Sequence, residues 1–199
     1  MTQPVELHTE RLVLSVPTAD DVDAITAACQ DEAVQRWTTV PSPYGRDAAE
    51  NFVNAFVPAG WDAGTARTWA VRLKRAGTEP DVVGMIGLEG IHDGAGEIGY
   101  WLAPSGRGSG LMVEAVSAVL DYAFDAAGAG LVRVQWRAYR GNRASARVAR
   151  LSGFRFEALR RLGAAGRVGR EDEWTAAILA SDPRSPAEGW PAETLSAAP

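Results

Sequence analysis

The chain has 199 residues, 46% of them hydrophobic and 23% charged, which is ordinary for one globular domain with a substantial core. No apolar run approaches the roughly 18 residues that a membrane helix needs, and the N-terminus lacks the basic and apolar stretches of a signal peptide, so we expect a cytoplasmic protein. A single cysteine and two distant histidines exclude a disulfide framework and leave no cluster of metal ligands.

The net charge of −5 is unevenly distributed along the chain. Residues 131–170, the basic band, contain eleven arginines and one acid, whereas residues 1–130 carry 8 basic and 18 acidic residues. Such a band commonly faces nucleic acid or a phosphate-bearing ligand, and a solvated arginine-rich face is the simpler alternative. The pI of about 5.1 and the few aromatic residues in the band argue against a dedicated nucleic-acid binder.

The N-terminal part predicts a strand followed by a helix. Leu12 and Leu14 alternate with their neighbours, a pattern typical of a strand. Beyond an N-cap signal at Thr18, apolar residues recur at helical spacing and predict one helix over residues 18–34. Cys29 lies in this apolar pattern, so we expect a buried structural thiol rather than a nucleophile.

The central part predicts a second helix and then strands. This helix begins at Asp47, and residues 57–68 form a loop that leads into an alternating strand at residues 68–74. Two longer strands, residues 81–92 and 97–104, are joined by a glycine-containing turn and form a hairpin.

The C-terminal part alternates helices and strands. A helix with an apolar face follows the hairpin, and residues 131–139 form a strand in which Arg133, Gln135, Arg137 and Tyr139 share one face. Residues 142–153 predict a helix with an apolar and a basic stripe. Strands begin in residues 153–161 and 172–180.

Three glycines at alternate positions, Gly106, Gly108 and Gly110, stand directly before the helix that follows the hairpin. Glycine adopts positive φ without steric cost, and the first amides of a helix attract anions, so the arrangement suits a phosphate or pyrophosphate. An ordinary glycine-rich turn is the alternative. A Walker loop is excluded because no lysine lies nearby, and the dinucleotide fingerprint fails because Leu111 occupies its third glycine position.

The segment Arg107–Gly110 resembles the R-G-x-G acyl-CoA loop of the GNAT acyltransferase superfamily. Residues 8–14 (HTERLVL), 97–116 and 142–154 resemble its RimJ/RimL-like branch, the ribosomal-protein N-acetyltransferase type. The resemblance spans residues 8–180.

This resemblance implies an α/β (α+β) fold. A single mixed, mostly antiparallel central sheet is expected, splayed at the acyl-CoA site and flanked by helices. The GNAT domain would cover residues 1–180. Residues 181–199 are rich in proline and small residues, and we expect them to form a disordered C-terminal tail.

The implied function is that of an N-acetyltransferase. It would transfer an acetyl group from acetyl-CoA to a primary amine, either a protein N-terminal α-amine or a small-molecule amine, by direct attack in a ternary complex. No metal, membrane or direct nucleic-acid contact is implied, and such enzymes commonly form homodimers. The alternatives are a non-catalytic acyl-CoA-binding regulatory module, an acyltransferase for a longer acyl-CoA, and a ribosome-associated protein that uses the basic band.

The resemblance also assigns residues to acetyl-CoA. The loop amides would receive the CoA pyrophosphate, the strand at residues 100–102 would carry the pantetheine arm as an added pseudo-strand, and the basic band would meet the 3′-phosphate. An amide near Trp101 is expected to stabilise the oxyanion. The coenzyme-binding residues that follow are Tyr100, Trp101, Leu102, Arg107, Gly108, Ser109, Gly110, Leu111, Asn142 and Arg147.

Transfer to an amine requires a base, because alkyl amines are mostly protonated at pH 7. Glu97 is the first candidate, since several superfamily members carry a glutamate at this position; a solvated turn glutamate is the alternative. Glu89 and His92 are the next candidates for the base.

The departing thiolate needs stabilisation as well. Asn142 and Ser145 match the N-x-x-S motif of RimL-like relatives, and Ser145 would lie in the first turn of its helix, where amides and the dipole favour negative charge. Helix capping is the alternative role. The aromatic residues expected either to border the acceptor cleft or to pack in the core are Trp37, Tyr44 and Trp61.

Overall fold

The structure, a computed structural model, describes residues 3–195, with the side chains of residues 78 and 79 excepted. Its strands are β1 (Leu7–His8), β2 (Leu12–Ser15), β3 (Arg67–Arg75), β4 (Thr78–His92), β5 (Ala95–Leu102), β6 (Arg133–Tyr139), β7 (Arg155–Ala165) and β8 (Arg170–Leu179). Its helices are α1 (Val22–Cys29), α2 (Glu32–Trp37), α3 (Arg46–Asn51), α4 (Val57–Ala63), α5 (Leu111–Phe124), α6 (Arg143–Leu151) and α7 (Ala192–Leu195).

The eight strands form one sheet in the order β1-β2-β3-β4-β5-β6-β8-β7. Neighbouring strands are antiparallel except β5 and β6, which run parallel. The β5–β6 ladder covers four residue pairs and ends at Ile98 and Trp136, although both strands continue beyond these residues. The predicted mixed, mostly antiparallel sheet flanked by helices is therefore confirmed, and it is splayed between β5 and β6.

The two faces of the sheet pack against different helices. On the α5 face, Trp69, Ile98 and Trp136 join α5 and α6 in the main core, and each is at most 1% exposed. On the opposite α1 face, Ala70 and Met85 pack against α1, α2 and α3 in a second core. Because side chains alternate along a strand, each position of β5 and β6 belongs to one of these two faces.

The single helix predicted over residues 18–34 is divided in the structure. α1 ends at Cys29, and the Asp31 carboxylate then accepts a hydrogen bond from the Val34 amide at 3.0 Å to begin α2. Cys29 is 1% exposed; burial raises its pKa to about 11, and a hydrogen bond with Tyr44 opposes that shift. The expectation of a buried, inert thiol agrees with this environment.

The prediction of a loop over residues 57–68 is wrong for its first half, because α4 lies there. Helical backbone continues from α3 through a π-helical turn at Phe52–Phe56, directly before Pro58. A π-turn changes the hydrogen-bond spacing near the proline, which has no amide to donate. The helical backbone can therefore continue past Pro58. Trp61 consequently points into the main core at 2% exposure and does not border a cleft.

We expected a disordered tail from residue 181, but in the structure residues 181–195 dock onto the domain through Trp190. Trp190 is 6% exposed, and its indole donates to the Phe154 carbonyl at 3.0 Å. Its ring lies 5.6 Å from that of Trp136 and 5.5 Å from that of Phe156. A segment without apolar periodicity is thus anchored by one large side chain, which a periodicity search does not detect. Residues 196–199 lie outside the described residues.

We expect Trp190→Ala to lower the free energy of unfolding by about 3 to 5 kcal/mol, because the substitution empties a buried aromatic site. For a domain of this size the melting temperature should fall by about 10 °C. Thermal unfolding followed by circular dichroism measures the change. Leu195→Ala is the control, since Leu195 is 52% exposed and should have little effect. An unchanged melting temperature in Trp190→Ala would show that the tail does not dock.

No helix in the described part of the chain has both the length and the apolar character needed to cross a bilayer.

Candidate active site

The β5–β6 gap begins where the two strands diverge, just beyond Ile98 and Trp136. β5 remains paired with β4 as far as Leu102. Its opposite edge therefore faces the gap with no strand partner among the described residues. An unpaired strand edge can receive an extended ligand through main-chain hydrogen bonds.

Backbone alternation determines which groups of β5 point into this gap. The Gly94 carbonyl accepts from the Val132 amide at 2.7 Å, on the β6 side, and the Ala103 amide donates to β4 at 2.9 Å. The N–H and C=O of one residue share a side, and this side alternates along a strand. Tyr100 and Leu102 thus direct their backbone groups into the gap, whereas the Trp101 amide points to β4. The amides of Tyr100 and Leu102, rather than that of Trp101, are therefore the candidate donors to an oxyanion in the gap.

Two of the three glycines in the loop after β5 adopt the positive φ expected from the sequence. Gly108 and Gly110 adopt φ values of 83° and 79°. Gly106 instead lies in a 3-10 turn, where an added Cβ would be 3.1 Å from the Val83 Cβ. Gly110 directly precedes α5, and the first amides of a helix have no partner within it. The loop therefore presents amides at the mouth of the gap.

The Arg107 side chain ties this loop to its surroundings. Its Nε donates to the Leu102 carbonyl at 3.1 Å, and its Nη2 donates to the Asp31 carboxylate at 2.6 Å. This hydrogen bond lowers the pKa of Asp31. The Arg107 guanidinium thus connects the end of β5 with the start of α2.

A group of polar atoms from β5, β6 and α6 lies on the α5 face of the gap. The Trp136 indole donates to the Ser145 hydroxyl at 3.0 Å, and the Tyr100 hydroxyl donates to the Ser145 carbonyl at 3.0 Å. Burial raises the pKa of Tyr100, so its hydroxyl stays protonated. The Ser145 hydroxyl accepts from Trp136 and keeps its own proton available for another acceptor.

Asn142 and Arg147, both assigned to the coenzyme from the sequence, have different environments. The Asn142 side chain caps α6 by accepting from the Ser145 amide at 3.2 Å. Capping was the alternative role considered for Ser145, and the structure gives it to Asn142 instead. Arg147 is exposed on α6.

Glu97 lies on the α1 face beside the gap. Its Oε2 accepts from Arg137 Nε at 2.6 Å and from Gln135 Nε2 at 3.2 Å, and both donors come from β6. The carboxylate is 26% exposed, so it is held in one orientation yet still reaches solvent.

Glu89 is paired with Glu97 across the β4–β5 ladder and shares its face. Desolvation raises the pKa of Glu89, the Glu97 charge adds to this shift, and Arg137 opposes it. His92 lies at the far end of the hairpin with a side chain that is 77% exposed. His92 is paired with Ala95, which is five residues from Tyr100, or about 17 Å along the strand at 3.3 Å per residue. The structure therefore brings Glu89 to Glu97 and leaves His92 apart.

Glu173 is a buried carboxylate that the sequence analysis did not identify. Its side chain is 3% exposed, and it lies 2.8 Å from Arg160 and 4.0 Å from Arg137. Arg137 is thereby placed between the carboxylates of Glu97 and Glu173. The sequence did contain one sign of this residue, an acid next to Trp174 in an alternating strand. In the structure Glu173 is paired with Tyr139 and shares its face of the sheet.

Two glycines lie next to the Glu89–Glu97 pair on the β4–β5 ladder. Gly87 and Gly99 pair across the β4–β5 ladder, between the Glu89–Glu97 pair and the Met85–Trp101 pair. A Cβ added at Gly99 would meet no heavy atom within 4 Å among the described residues. A Cβ added at Gly87 would instead lie 3.0 Å from the Arg67 carbonyl, so the open space beside Glu97 is at Gly99.

Helix α2 crosses the open end of the β5–β6 gap on the α1 face. At its start Asp31 binds Arg107, which follows β5; at its end Arg36 forms an ion pair of 2.8 Å with Glu171 of β8. The helix therefore connects the two sides of the splayed sheet.

Only Trp37 of the three aromatic residues considered for the cleft lies beside it. The Arg36 guanidinium stacks 4.4 Å from the Trp37 ring, and this ring would be 3.4 Å from a Cβ added at Gly141. Tyr44 is 6% exposed and packs in the second core.

Five of the eleven arginines of the basic band form ion pairs with carboxylates. The pairs, at 2.6–2.9 Å, are Arg133–Glu157, Arg137–Glu97, Arg140–Glu193, Arg155–Asp182 and Arg160–Glu173. A paired guanidinium contributes little to a continuous cationic surface, so fewer arginines are available to a polyanion than the sequence suggests.

The gap and its loop fit an extended ligand that ends in a phosphate-bearing group. The unpaired edge of β5, the positive φ of Gly108 and Gly110, and the start of α5 lie in sequence along one path. The described side chains include no group of three or more His, Cys, Asp or Glu that could hold a metal ion.

Comparisons with known proteins agree with this geometry. A family model described as an acetyltransferase (GNAT) domain matches residues 11–155. The chain is 29% identical over 158 residues to YoaA of Bacillus subtilis (strain 168), named an uncharacterized N-acetyltransferase, with 78% of this chain and 85% of that protein covered.

Among the solved structures that share the fold are two acetyltransferases. One is a putative ribosomal-protein-serine acetyltransferase from Vibrio cholerae, with a TM-score of 0.74, 20% identity, and 90% of this chain and 99% of that chain covered. The other is RimL, a ribosomal L7/L12 α-N-protein acetyltransferase in complex with coenzyme A, with a TM-score of 0.77, 19% identity, and coverage of 88% and 98%. Since the family model covers well over half of its length, the chain belongs to the GNAT acetyltransferase family.

Proposed function

We propose that this chain transfers an acetyl group from acetyl-CoA to a primary amine, by direct attack in a ternary complex, in the cytoplasm. The acceptor is a peptide N-terminal α-amine or a small-molecule amine. The observation that carries the proposal is the β5–β6 gap, which opens between the positive-φ loop and the Glu89–Glu97 pair. Family membership supports the acetyltransferase activity, and the geometry supports the roles given to the residues.

The donor side is built mainly from backbone groups. Amides from Gly108 to Leu111 are suited to a pyrophosphate. The backbone groups of Tyr100 and the amide of Leu102 are suited to the amides of a pantetheine arm. Arg147, exposed on α6, is available to the 3′-phosphate. Bound acetyl-CoA would supply the activated thioester.

On the acceptor side, Glu97 accepts the proton that the amine must lose. Arg137 and Gln135 both donate to Oε2, which fixes the orientation of the carboxylate. Neither of them binds Oε1, which is therefore the oxygen proposed to accept the proton. Glu89 is the alternative base, because its raised pKa brings it closer to neutral pH.

On the leaving side, Ser145 donates its hydroxyl proton toward the departing thiolate. The indole of Trp136 orients this hydroxyl, and the position of Ser145 in the first turn of α6 favours negative charge nearby. The amides of Tyr100 and Leu102 that face the gap are the candidates for stabilising charge on the thioester oxygen.

The experiment that tests this function measures thiol release from acetyl-CoA with a panel of amines and N-terminal peptides. We expect steady release with at least one amine and background hydrolysis without it. The same assay with a longer acyl-CoA tests the acyl preference. If calorimetry shows that acetyl-CoA binds but no amine produces thiol, the chain is a non-catalytic acyl-CoA-binding module.

A further inference from the structure

A cavity of about 500 Å³ lies between the end of α2 and the β7–β8 hairpin. Four charged side chains line it, namely Arg36, Arg167, Arg170 and Glu171, and Tyr139 at the end of β6 forms part of its wall. Because Tyr139 follows the divergence of β5 and β6, the cavity adjoins the open end of the gap.

The charges in this basic cavity do not cancel. Arg36 and Glu171 form an ion pair at 2.8 Å and neutralise each other. Arg167 donates to the carbonyls of Gln35 and Val40 at 2.6 and 2.8 Å. These carbonyls carry no net charge, so the hydrogen bonds position the guanidinium without neutralising it.

Arg170 is held in the same way. It donates to the carbonyls of Leu162 and Gly163 at 2.5 and 2.6 Å. Neither Arg167 nor Arg170 forms an ion pair with a carboxylate of the described residues, whereas the ion-paired arginines of the band are neutralised. The cavity therefore carries two uncompensated positive charges, and both arginines are exposed.

The distance to the reacting groups limits what can fill the cavity. Glu97 is paired with Gln135, which is four residues from Tyr139 on the same face of β6, and this separation corresponds to about 13 Å. An extended peptide covers this distance in about four residues. A group bound in the cavity can therefore belong to the same acceptor molecule whose amine lies at Glu97.

We propose that the basic cavity binds a carboxylate of the acceptor, so that the substrates of this chain are amines with an acidic group within about four residues. This inference rests on the proposed function and specifies its substrate class. The carboxylate comes from an aspartate or glutamate at the second to fourth position of a peptide, or from a small dicarboxylic amine.

The test compares peptides that share an N-terminal residue and carry Glu, Gln or Lys at the second to fourth positions, with blocked C-termini. We expect kcat/KM to be about tenfold higher for the Glu peptide than for the Gln peptide, and lower still for the Lys peptide. The preference should weaken as salt rises, because exposed charges are screened. A small dicarboxylic amine, assayed beside its diamide, distinguishes the second source of the carboxylate.

Variants of the residues that line the cavity distinguish an effect of charge on the acceptor from a general effect on folding. Glu171→Gln removes the acid from the lining and should raise kcat/KM for the Glu peptide severalfold. Arg167→Gln and Arg170→Gln should reduce the Glu preference, and Arg167→Lys should retain most of it. Arg161→Gln is the matched control, since Arg161 is exposed on the same hairpin outside the cavity lining.

An active enzyme that treats the Glu and Gln peptides alike, and whose Glu171→Gln variant is unchanged, would overturn the proposal while leaving the acetyltransferase function intact. Absence of thiol release with every amine, despite acetyl-CoA binding, would instead contradict the proposed function itself.

Discussion

Glu97→Gln is expected to lower kcat by about 10²-fold, because the substitution removes the group that accepts the proton of the amine. The affinity for acetyl-CoA should change little, since Glu97 lies on the α1 face and the donor loop follows the other end of β5. Steady-state thiol release with a saturating acceptor gives kcat, and calorimetry gives the donor affinity. Glutamine still accepts a hydrogen bond from Arg137, so the variant retains that contact.

The matched control for this variant is Glu157→Gln. Glu157 also binds an arginine of β6, in a bidentate ion pair with Arg133 at 2.7 and 2.8 Å. Loss of an exposed arginine–carboxylate pair alone costs little, so this control should keep nearly the activity of the unmodified protein. A similar fall in both variants would mean that the effect of Glu97→Gln comes from the structure of the sheet.

The pH profile separates Glu97 from Glu89. A carboxylate base works only when deprotonated, so activity falls as the pH falls through its pKa. If Glu97 is the base, its replacement removes the acidic limb together with the rate. If Glu89 is the base, Glu97→Gln removes a like charge that raises the pKa of Glu89, and the acidic limb moves to lower pH with the rate largely kept.

Gly108→Val and Gly110→Val should each weaken acetyl-CoA binding by about tenfold or more. Both glycines adopt positive φ, and a β-branched residue there costs about 1 to 3 kcal/mol, which the loop avoids by moving its amides. A Cβ at Gly108 meets no heavy atom within 4 Å among the described residues, so backbone strain is the main cause in that variant. Ser109→Ala changes neither the backbone nor its amides and should bind acetyl-CoA almost normally.

Gly77→Val controls for a general loss of stability in these variants. Gly77 has a φ of 77° and open space around it, but it lies in the β3–β4 turn. Its variant should lose a similar amount of stability in thermal unfolding and keep its affinity for acetyl-CoA. Unchanged calorimetric affinity in both loop variants would show that the loop does not bind the coenzyme.

Local patterns predicted the parts of the fold that obey local rules. The hairpin of β4 and β5 and the alternation of β6 follow from period-two hydrophobicity and a glycine turn, and the structure agrees with both. The α1–α2 break and α4 were missed because they depend on a single side-chain cap at Asp31 and on a π-turn before Pro58. Neither produces a change in periodicity.

The candidate site was predictable only in part for a related reason. The glycine loop and the N-x-x-S motif are local in sequence. In contrast, the partners of Glu97 and Asp31 lie 40 and 76 residues away, and only the folded sheet brings them together. The basic cavity likewise combines the end of α2 with the β7–β8 hairpin, 135 residues apart at the Arg36–Glu171 pair.

The strand order has a consequence for how the chain is completed during synthesis. β8 lies between β6 and β7, although it is the last strand to be made. Until it is inserted, β7 has no neighbour in the sheet, and β6 presents an unpaired edge that includes Val134 and Trp136. Such edges are prone to pair with other chains. Because β6 forms one wall of the gap, a nascent chain stalled before residue 179 would be both inactive and prone to aggregate.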